Sequence, residues 1–185
     1  MRSQAISGTR RTRAKSAAGF SLIELLIVVG IILIIASIAI PNYMKSRMVA
    51  NEAAAVENIR TITTAETTYN ISYGNGYAPT LLTLGGKPPV SCNNAALIDD
   101  VLAATGLRSG YNFSYAAGPV VGAPPVGCAP GLNLYTVAAM PVVPGSTGQR
   151  GFCADPSAVI RTEPTGVAGN PGVGGCVDPG WPALR

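Results

Sequence analysis

The chain has 185 residues, of which 15 are Pro and 22 Gly, and only 12% are charged. This length allows one small loop-rich domain and an appendage, and excludes a second enzyme-sized domain. The net charge of +4 is concentrated at the N-terminus, because five basic residues and no acidic residue precede Phe20, leaving eight Lys and Arg against nine Asp and Glu in the remainder. The part from Phe20 onward is therefore not predicted to bind nucleic acid specifically.

The first 19 residues are basic and end in the small residues Ser16-Ala17-Ala18-Gly19, directly before a long apolar run. An ordinary secretory signal has the opposite order, with the apolar region before the small-residue cleavage site. We therefore predict a leader, residues 1–19, that is removed after Gly19 on the cytoplasmic side while the apolar run stays in the mature protein. The positive charges before that run place its N-terminus in the cytoplasm.

The apolar run covers residues 20–40 and contains a single charged residue, Glu24. This is about the length of a helix that spans a bilayer, and we predict a transmembrane segment. A buried helix in a soluble protein is disfavoured, because a helix that is apolar on all faces needs a larger core than this chain can build. Ser21 and Glu24 have the spacing of a capping box. A carboxylate at the membrane is costly, however, and we expect it to have a positive partner.

Helix-forming residues continue beyond Pro41, so we predict one long helix over residues 20–72, kinked near Gly30 and Pro41. The second half of this helix has a single apolar stripe, which we expect to cover the rest of the chain. The stripe consists of Val49, Ala53, Val56, Ile59, Ile62, Ala65 and Tyr69. Tyr69, Tyr73 and Tyr77 recur every four residues, and we interpret them as packing residues rather than an electron-transfer path. The sequence Tyr73-Gly74-Asn75-Gly76 ends the helix.

The remaining residues, 73–185, are predicted to form an exposed head. A short helix is predicted at 97–105 and strands at 111–117, 132–140 and 158–161, separated by Gly- and Pro-rich turns. The predicted fold class is α+β, with the long helix packed on a small antiparallel sheet. From Thr162 the chain is so rich in Gly and Pro that no regular structure is expected, and Cys176 is expected to fix this tail.

The four cysteines, Cys92, Cys128, Cys153 and Cys176, are an even number without a CxxC pair, which argues against a zinc site. A head that faces outward lies in a compartment that permits disulfides, so two bridges are predicted. Of the three possible pairings we favour Cys92 with Cys128 and Cys153 with Cys176, because the shorter loops then close over Gly- and Pro-rich segments.

Catalytic signatures are missing from the sequence, which contains no histidine, no GxSxG motif, no P-loop and no cluster of metal-ligand residues. We therefore expect neither enzymatic activity nor a cofactor.

The segment AAGFSLIELLIVVGIILIIASIAIPNY resembles the N-terminus of type IV pilins and of the pseudopilins of type II secretion systems. The resemblance implies that a prepilin peptidase cuts after Gly19 and methylates Phe20, and that Glu24 is the family's glutamate at the fifth mature residue. In a filament Glu24 would then accept the charged amine of a neighbouring subunit's Phe20, since pairing offsets part of the cost of burying both ions. The alternative is an unpaired carboxylate that reaches the membrane interface.

The function implied by this resemblance is that of a structural subunit, which is held in the inner membrane by its helix and then polymerises into a surface pilus. Its partners would be identical subunits, the peptidase and methyltransferase, an inner-membrane assembly platform and lipid. The alternative is a major pseudopilin in a periplasmic pseudopilus, for which the resemblance would imply bound calcium. Asp99 and Asp100 are the candidate ligands, although adjacent acids at a helix edge are usually only solvated.

Overall fold

The computed structural model describes residues 19–166, 172, 175, 176 and 180–184, so residues 1–18 of the predicted leader lie outside the described residues. The chain divides into two compact units, one ending at Pro41 and the other beginning at Asn42. A long helix, α1, runs from Leu22 to Tyr73 and contributes to both units.

Helix α1 begins two residues later than predicted, because Ser21 acts as its cap. The backbone carbonyl of Ser21 accepts the first helical hydrogen bond, from the amide of Leu25 at 3.2 Å. The helix is continuous through Gly30 and Pro41. A kink at these two residues remains a prediction.

The buried face of α1 differs from the predicted stripe. Ile59, Ile62, Ala65 and Tyr69 are buried as expected, whereas Val49 and Ala53 are exposed and Val56 is half-buried. The face instead follows alternating spacings of three and four residues, and its buried members are Glu52, Ala55, Ile59, Ile62, Ala65, Glu66 and Tyr69. Two of these positions hold carboxylates. The pattern of apolar residues alone therefore placed the N-terminal end of the predicted stripe on the wrong side of the helix.

The head contains two short helices and a five-stranded antiparallel sheet with strand order β1-β2-β3-β4-β5. The helices are α2 (Leu81–Leu84) and α3 (Asp100–Thr105). The strands are β1 (Leu107–Arg108), β2 (Tyr111–Ala117), β3 (Tyr135–Pro141), β4 (Gly151–Ala154) and β5 (Arg161–Glu163). The α+β class with a long helix packed on an antiparallel sheet is thereby confirmed.

Strand β2 matches its predicted range, whereas β3 begins three residues later than expected. Leu132 lies outside β3 and pairs instead with Tyr77 and Val120 in isolated bridges. The strand predicted at 158–161 is wrong, because Ala158 has a φ of 58° and lies in a turn, so that the strand begins at Arg161.

The helix predicted at 97–105 is shorter than expected, because the Asp99 side chain caps its N-terminus by accepting hydrogen bonds from the amides of Val101 and Leu102. Helix α2 and strands β1 and β4 were not predicted, since each has at most four residues. The expectation of no regular structure from Thr162 is also wrong, because β5 extends to Glu163.

Both faces of the central strands are covered. Val137 and Ala139 of β3 belong to the main core with Ile59, Ile62 and Tyr69 of α1. The side chains between them point to the other face, where Ala138 packs with Cys153, Cys176 and Trp181. The structure contains the disulfides Cys92–Cys128 and Cys153–Cys176, and the second bridge holds the tail on this face of the sheet.

Glu52 ties the helix to the loop between β3 and β4. Its Oε1 accepts hydrogen bonds from the amides of Gln149 at 2.9 Å and Arg150 at 3.2 Å, and its Oε2 accepts from Nε and Nη2 of Arg150 at 2.9 and 2.7 Å. Burial by itself raises the pKa of Glu52, but these hydrogen bonds outweigh it and hold the pKa below the usual value. The carboxylate is therefore charged and fully paired when the protein is folded.

We predict that Glu52→Gln lowers the free energy of unfolding by about 1–3 kcal/mol at pH 7, because the Arg150 guanidinium loses its charged acceptor. A carboxyl with a lowered folded pKa stabilises the fold above its unfolded pKa of about 4.5 and loses that contribution as the pH falls through the folded pKa. The variant should therefore lose less stability than the parent below pH 4.5. Chemical unfolding of the full chain in detergent micelles measures both effects.

The control is Glu57→Gln on the same helix, since Glu57 is exposed and its ion pair with Arg60 at 3.6 Å is also exposed. An equal effect of the two substitutions at neutral pH would contradict the assigned role of Glu52.

Candidate functional site

The predicted cleavage site lies in an exposed, non-helical segment immediately before α1. Gly19, Phe20 and Ser21 precede the helix, and Phe20 is 85% exposed. A Cβ added to Gly19 would meet nothing within 4 Å. Within the described chain, nothing blocks access to the Gly19–Phe20 bond, and the space around Gly19 does not itself require glycine.

Glu24 lies in the first turn of α1, where it is exposed. Its Oε2 accepts a hydrogen bond from the backbone amide of Ser21 at 2.9 Å, which is the glutamate half of a capping box. A carboxylate can accept several hydrogen bonds, so this contact leaves capacity for a second donor. Capping and pairing with a positive group are therefore compatible roles.

The side chains that follow form a large exposed apolar surface. Helix α1 contains a stretch of 18 residues with a mean hydropathy of 3.0, none of which is buried, so by length and composition it can cross a membrane. Exposed large apolar residues include Leu22, Ile23, Leu26, Ile32, Leu33, Ile34 and Ile38. Such a surface is not stable in water and needs lipid or protein cover, which indicates membrane anchoring.

Gly30 and Pro41 both lie inside helix α1, and Pro41 is exposed. Gly30 is half-buried, yet a Cβ at this position would meet nothing within 4 Å. Packing within the chain therefore does not explain Gly30, whereas close approach of another helix would.

These features together describe a chain with an apolar helix long enough to cross a membrane, an exposed Gly19–Phe20 bond before that helix and a disulfide-containing head. Comparison with known proteins shows what the N-terminal segment is similar to. Residues 14–40 match the family model of the prokaryotic N-terminal methylation motif.

The chain is also similar to the type IV major pilin protein PilA of Myxococcus xanthus (strain DK1622), with 45% identity over 51 residues. The match covers 28% of this chain and 23% of that protein, so it spans less than a quarter of the relative's length. No solved structure matches the chain significantly. These findings support a prepilin-type N-terminus like that of the type IV pilins.

The acidic pair considered for calcium has other contacts in the structure. Asp99 caps α3 and pairs with Arg108, and the Oδ1 of Asp100 accepts a hydrogen bond from the amide of Gly86 at 2.8 Å. In the described part of the chain, no group of three or more His, Cys, Asp or Glu side chains could hold a metal ion.

The three recurring tyrosines pack at the end of α1. Tyr69 is buried and donates a hydrogen bond to the carbonyl of Cys92 at 2.7 Å. Its ring lies 4.9 Å from that of Tyr73, and the ring of Tyr77 lies 4.9 Å from that of Tyr135 in an edge-on arrangement. These contacts support the packing interpretation of the three residues.

Two buried carboxylates on α1, Glu52 and Glu66, were not predicted from the sequence. Glu66 is completely buried and contacts the Tyr115 hydroxyl and the backbone of Ala78. The signal that identifies both residues is their position: together with the buried residues Ile59 and Tyr69 they fit alternating spacings of three and four residues.

Proposed function

We propose that this protein is a type IV pilin, which polymerises into a pilus at the cell surface after cleavage at Gly19 and N-methylation of Phe20. The observation that carries the proposal is an exposed apolar helix that begins directly after an accessible Gly-Phe bond and has one carboxylate, Glu24, in its first turn.

The apolar half of α1 needs two successive apolar environments. Before assembly the bilayer supplies apolar surroundings, with the N-terminus in the cytoplasm. In a filament the same side chains pack against the helices of other subunits, where an unpaired carboxylate would be strongly unfavourable. The amine released at Phe20 by cleavage gives Glu24 of a neighbouring subunit a positive partner.

The proposed partners follow from these two states. A prepilin peptidase and methyltransferase acts on the Gly19–Phe20 segment, and an inner-membrane assembly platform moves subunits from the bilayer into the fibre. Identical subunits then provide the lasting contacts. The type IV major pilin to which this chain is similar over 51 residues supports assignment to a pilus.

A major pseudopilin shares the same N-terminal design and is the second candidate. The head favours the pilin, because two disulfides, Cys92–Cys128 and Cys153–Cys176, close its loop segments where a pseudopilin would be expected to rely on calcium.

We predict that Gly19→Leu leaves the leader attached and keeps the protein in the membrane, because a bulky side chain at the cleavage site does not fit a peptidase that accepts glycine. Gly19→Ala is the control and should still be processed. Neither side chain meets another part of the described chain through its Cβ, so an effect on the fold of the chain is not expected. Mass spectrometry of the purified proteins determines the first residue and its methylation. A mature protein starting elsewhere than Phe20, or normal processing of Gly19→Leu, would contradict the assignment.

We further predict that Glu24→Ala permits cleavage and membrane insertion but sharply reduces filament assembly, because each incoming subunit loses its electrostatic register. Glu24→Gln separates the two roles, since glutamine can still accept the hydrogen bond from the Ser21 amide but has no charge. Assembly should fail for both variants at equal protein abundance, as measured by the amount of sheared surface fibres. Normal assembly of Glu24→Gln would show that Glu24 acts only as a helix cap.

A further inference from the structure

Glu66 of α1 forms a hydrogen-bonded group with Tyr115 of β2 and with Ala78, which lies between α1 and α2. Its Oε1 lies 2.7 Å from the Tyr115 hydroxyl of β2, and its Oε2 accepts a hydrogen bond from the amide of Ala78 at 2.8 Å. The same Tyr115 hydroxyl lies 2.7 Å from the carbonyl oxygen of Ala78. The three residues thus form a closed ring of contacts.

The number of protons decides whether this ring is satisfied. Tyr115 has one hydroxyl proton, but both of its neighbours in the ring, a carbonyl oxygen and Glu66 Oε1, are acceptors if Glu66 is ionised. One of the two short contacts would then be a repulsive oxygen–oxygen contact without a proton. If Glu66 carries a proton on Oε1, Glu66 donates to Tyr115, Tyr115 donates to the carbonyl of Ala78, and the Ala78 amide donates to Oε2. Every group in the ring is then satisfied.

In the described part of the chain, the titratable partners of Glu66 are tyrosines. The titratable groups that interact with it are Tyr69 on α1, Tyr115 on β2 and Tyr135 on β3, and Asp155 after β4 acts on Tyr135. In the described part of the chain, no Lys or Arg forms an ion pair with Glu66.

Burial raises the pKa of Glu66 to about 7 from a usual value of 4.5, against the opposing effect of hydrogen bonds from Tyr115 and Ala78. Burial and the nearby Glu66 also raise the pKa of Tyr115, so its hydroxyl keeps its proton at neutral pH.

We propose that Glu66 is a proton switch: it is a neutral acid that closes the ring in the folded protein, and loss of its proton releases the Ala78 carbonyl from Tyr115. The segment between α1 and α2 would then loosen from β2. This segment also pairs with the chain after the Cys92–Cys128 loop, through mutual hydrogen bonds between the backbones of Tyr77 and Leu132 at 2.7 and 2.8 Å. The switch therefore acts near the C-terminal end of the long helix, where the segment after α1 meets strand β2 and Leu132.

The sign of the stability change follows from the two protonation states. Because the folded protein holds this proton more tightly than the unfolded chain, the stabilising contribution of Glu66 is complete below about pH 4.5 and is lost as the pH rises through about 7. This direction is opposite to that expected for Glu52, whose contribution is lost in acid. The two carboxylates therefore limit the stable range of the protein from opposite ends of the pH scale.

The test uses the full chain in detergent micelles, with 13C-labelled glutamate side chains and the matched variant Glu66→Gln. The Cδ signal that disappears in Glu66→Gln should titrate in the parent with a midpoint of about 7. Glutamine is the neutral isostere that can make the same ring without a titrating proton. The thermal midpoint of Glu66→Gln should therefore equal that of the parent at pH 5 and exceed it at pH 8, while Glu57→Gln follows the parent at both values.

A midpoint near 4.5 for the Glu66 signal would overturn the proposal. So would a decrease in the thermal midpoint of Glu66→Gln that is the same at pH 5 and pH 8. If Glu66→Gln does not fold, the Glu66 signal is assigned in the parent by through-bond correlation, and its titration midpoint alone decides.

Discussion

The structure depends on an apolar half-helix for which the described chain provides no cover. From Leu22 to Ile40 most large side chains are more than half exposed, although water is an unfavourable solvent for such a surface. We propose that lipid covers this surface in a single subunit and that helices of other subunits cover it in the fibre. A helix that passes from one of these environments to the other tolerates very few charged side chains. Glu24 is the only charged residue between Phe20 and Pro41. In the structure Glu24 accepts a hydrogen bond from the Ser21 amide and can accept a second one from the partner that we propose for it in the fibre.

The second half of α1, in contrast, packs against the head and forms part of its small apolar core. Its buried face combines Ile59, Ile62 and Tyr69 with two carboxylates that are satisfied in different ways. Glu52 is ionised and paired with Arg150, whereas we propose that Glu66 is neutral and bonded to Tyr115 and Ala78. Buried polar groups of this kind stabilise a fold only when every donor and acceptor has a partner. They also connect α1 to the head, Glu52 through the loop before β4 and Glu66 through Tyr115 of β2.

The features that could be predicted from the sequence are those with a long or strongly repeated signal. The apolar run and the strand at 111–117 are of this kind. The buried face of α1 was partly misjudged because Glu52 and Glu66 look like solvent-exposed residues until their partners, which follow far along the chain, are known. Strand β4 was missed because a segment of four residues that begins with Gly151 has no recognisable periodicity, and it forms through pairing with β3 and β5. Such long-range pairing is not encoded in any local pattern.

In the proposed function, the exposed helix assembles many copies of this chain into a fibre outside the cell. Immunogold electron microscopy of intact cells, with an antibody raised against the head, tests it most directly. The account predicts long extracellular fibres that are labelled along their whole length, because every subunit in a polymer presents its head. Label that stays within the cell envelope, with no labelled fibres outside, would contradict assembly into a surface pilus and would favour a pseudopilus.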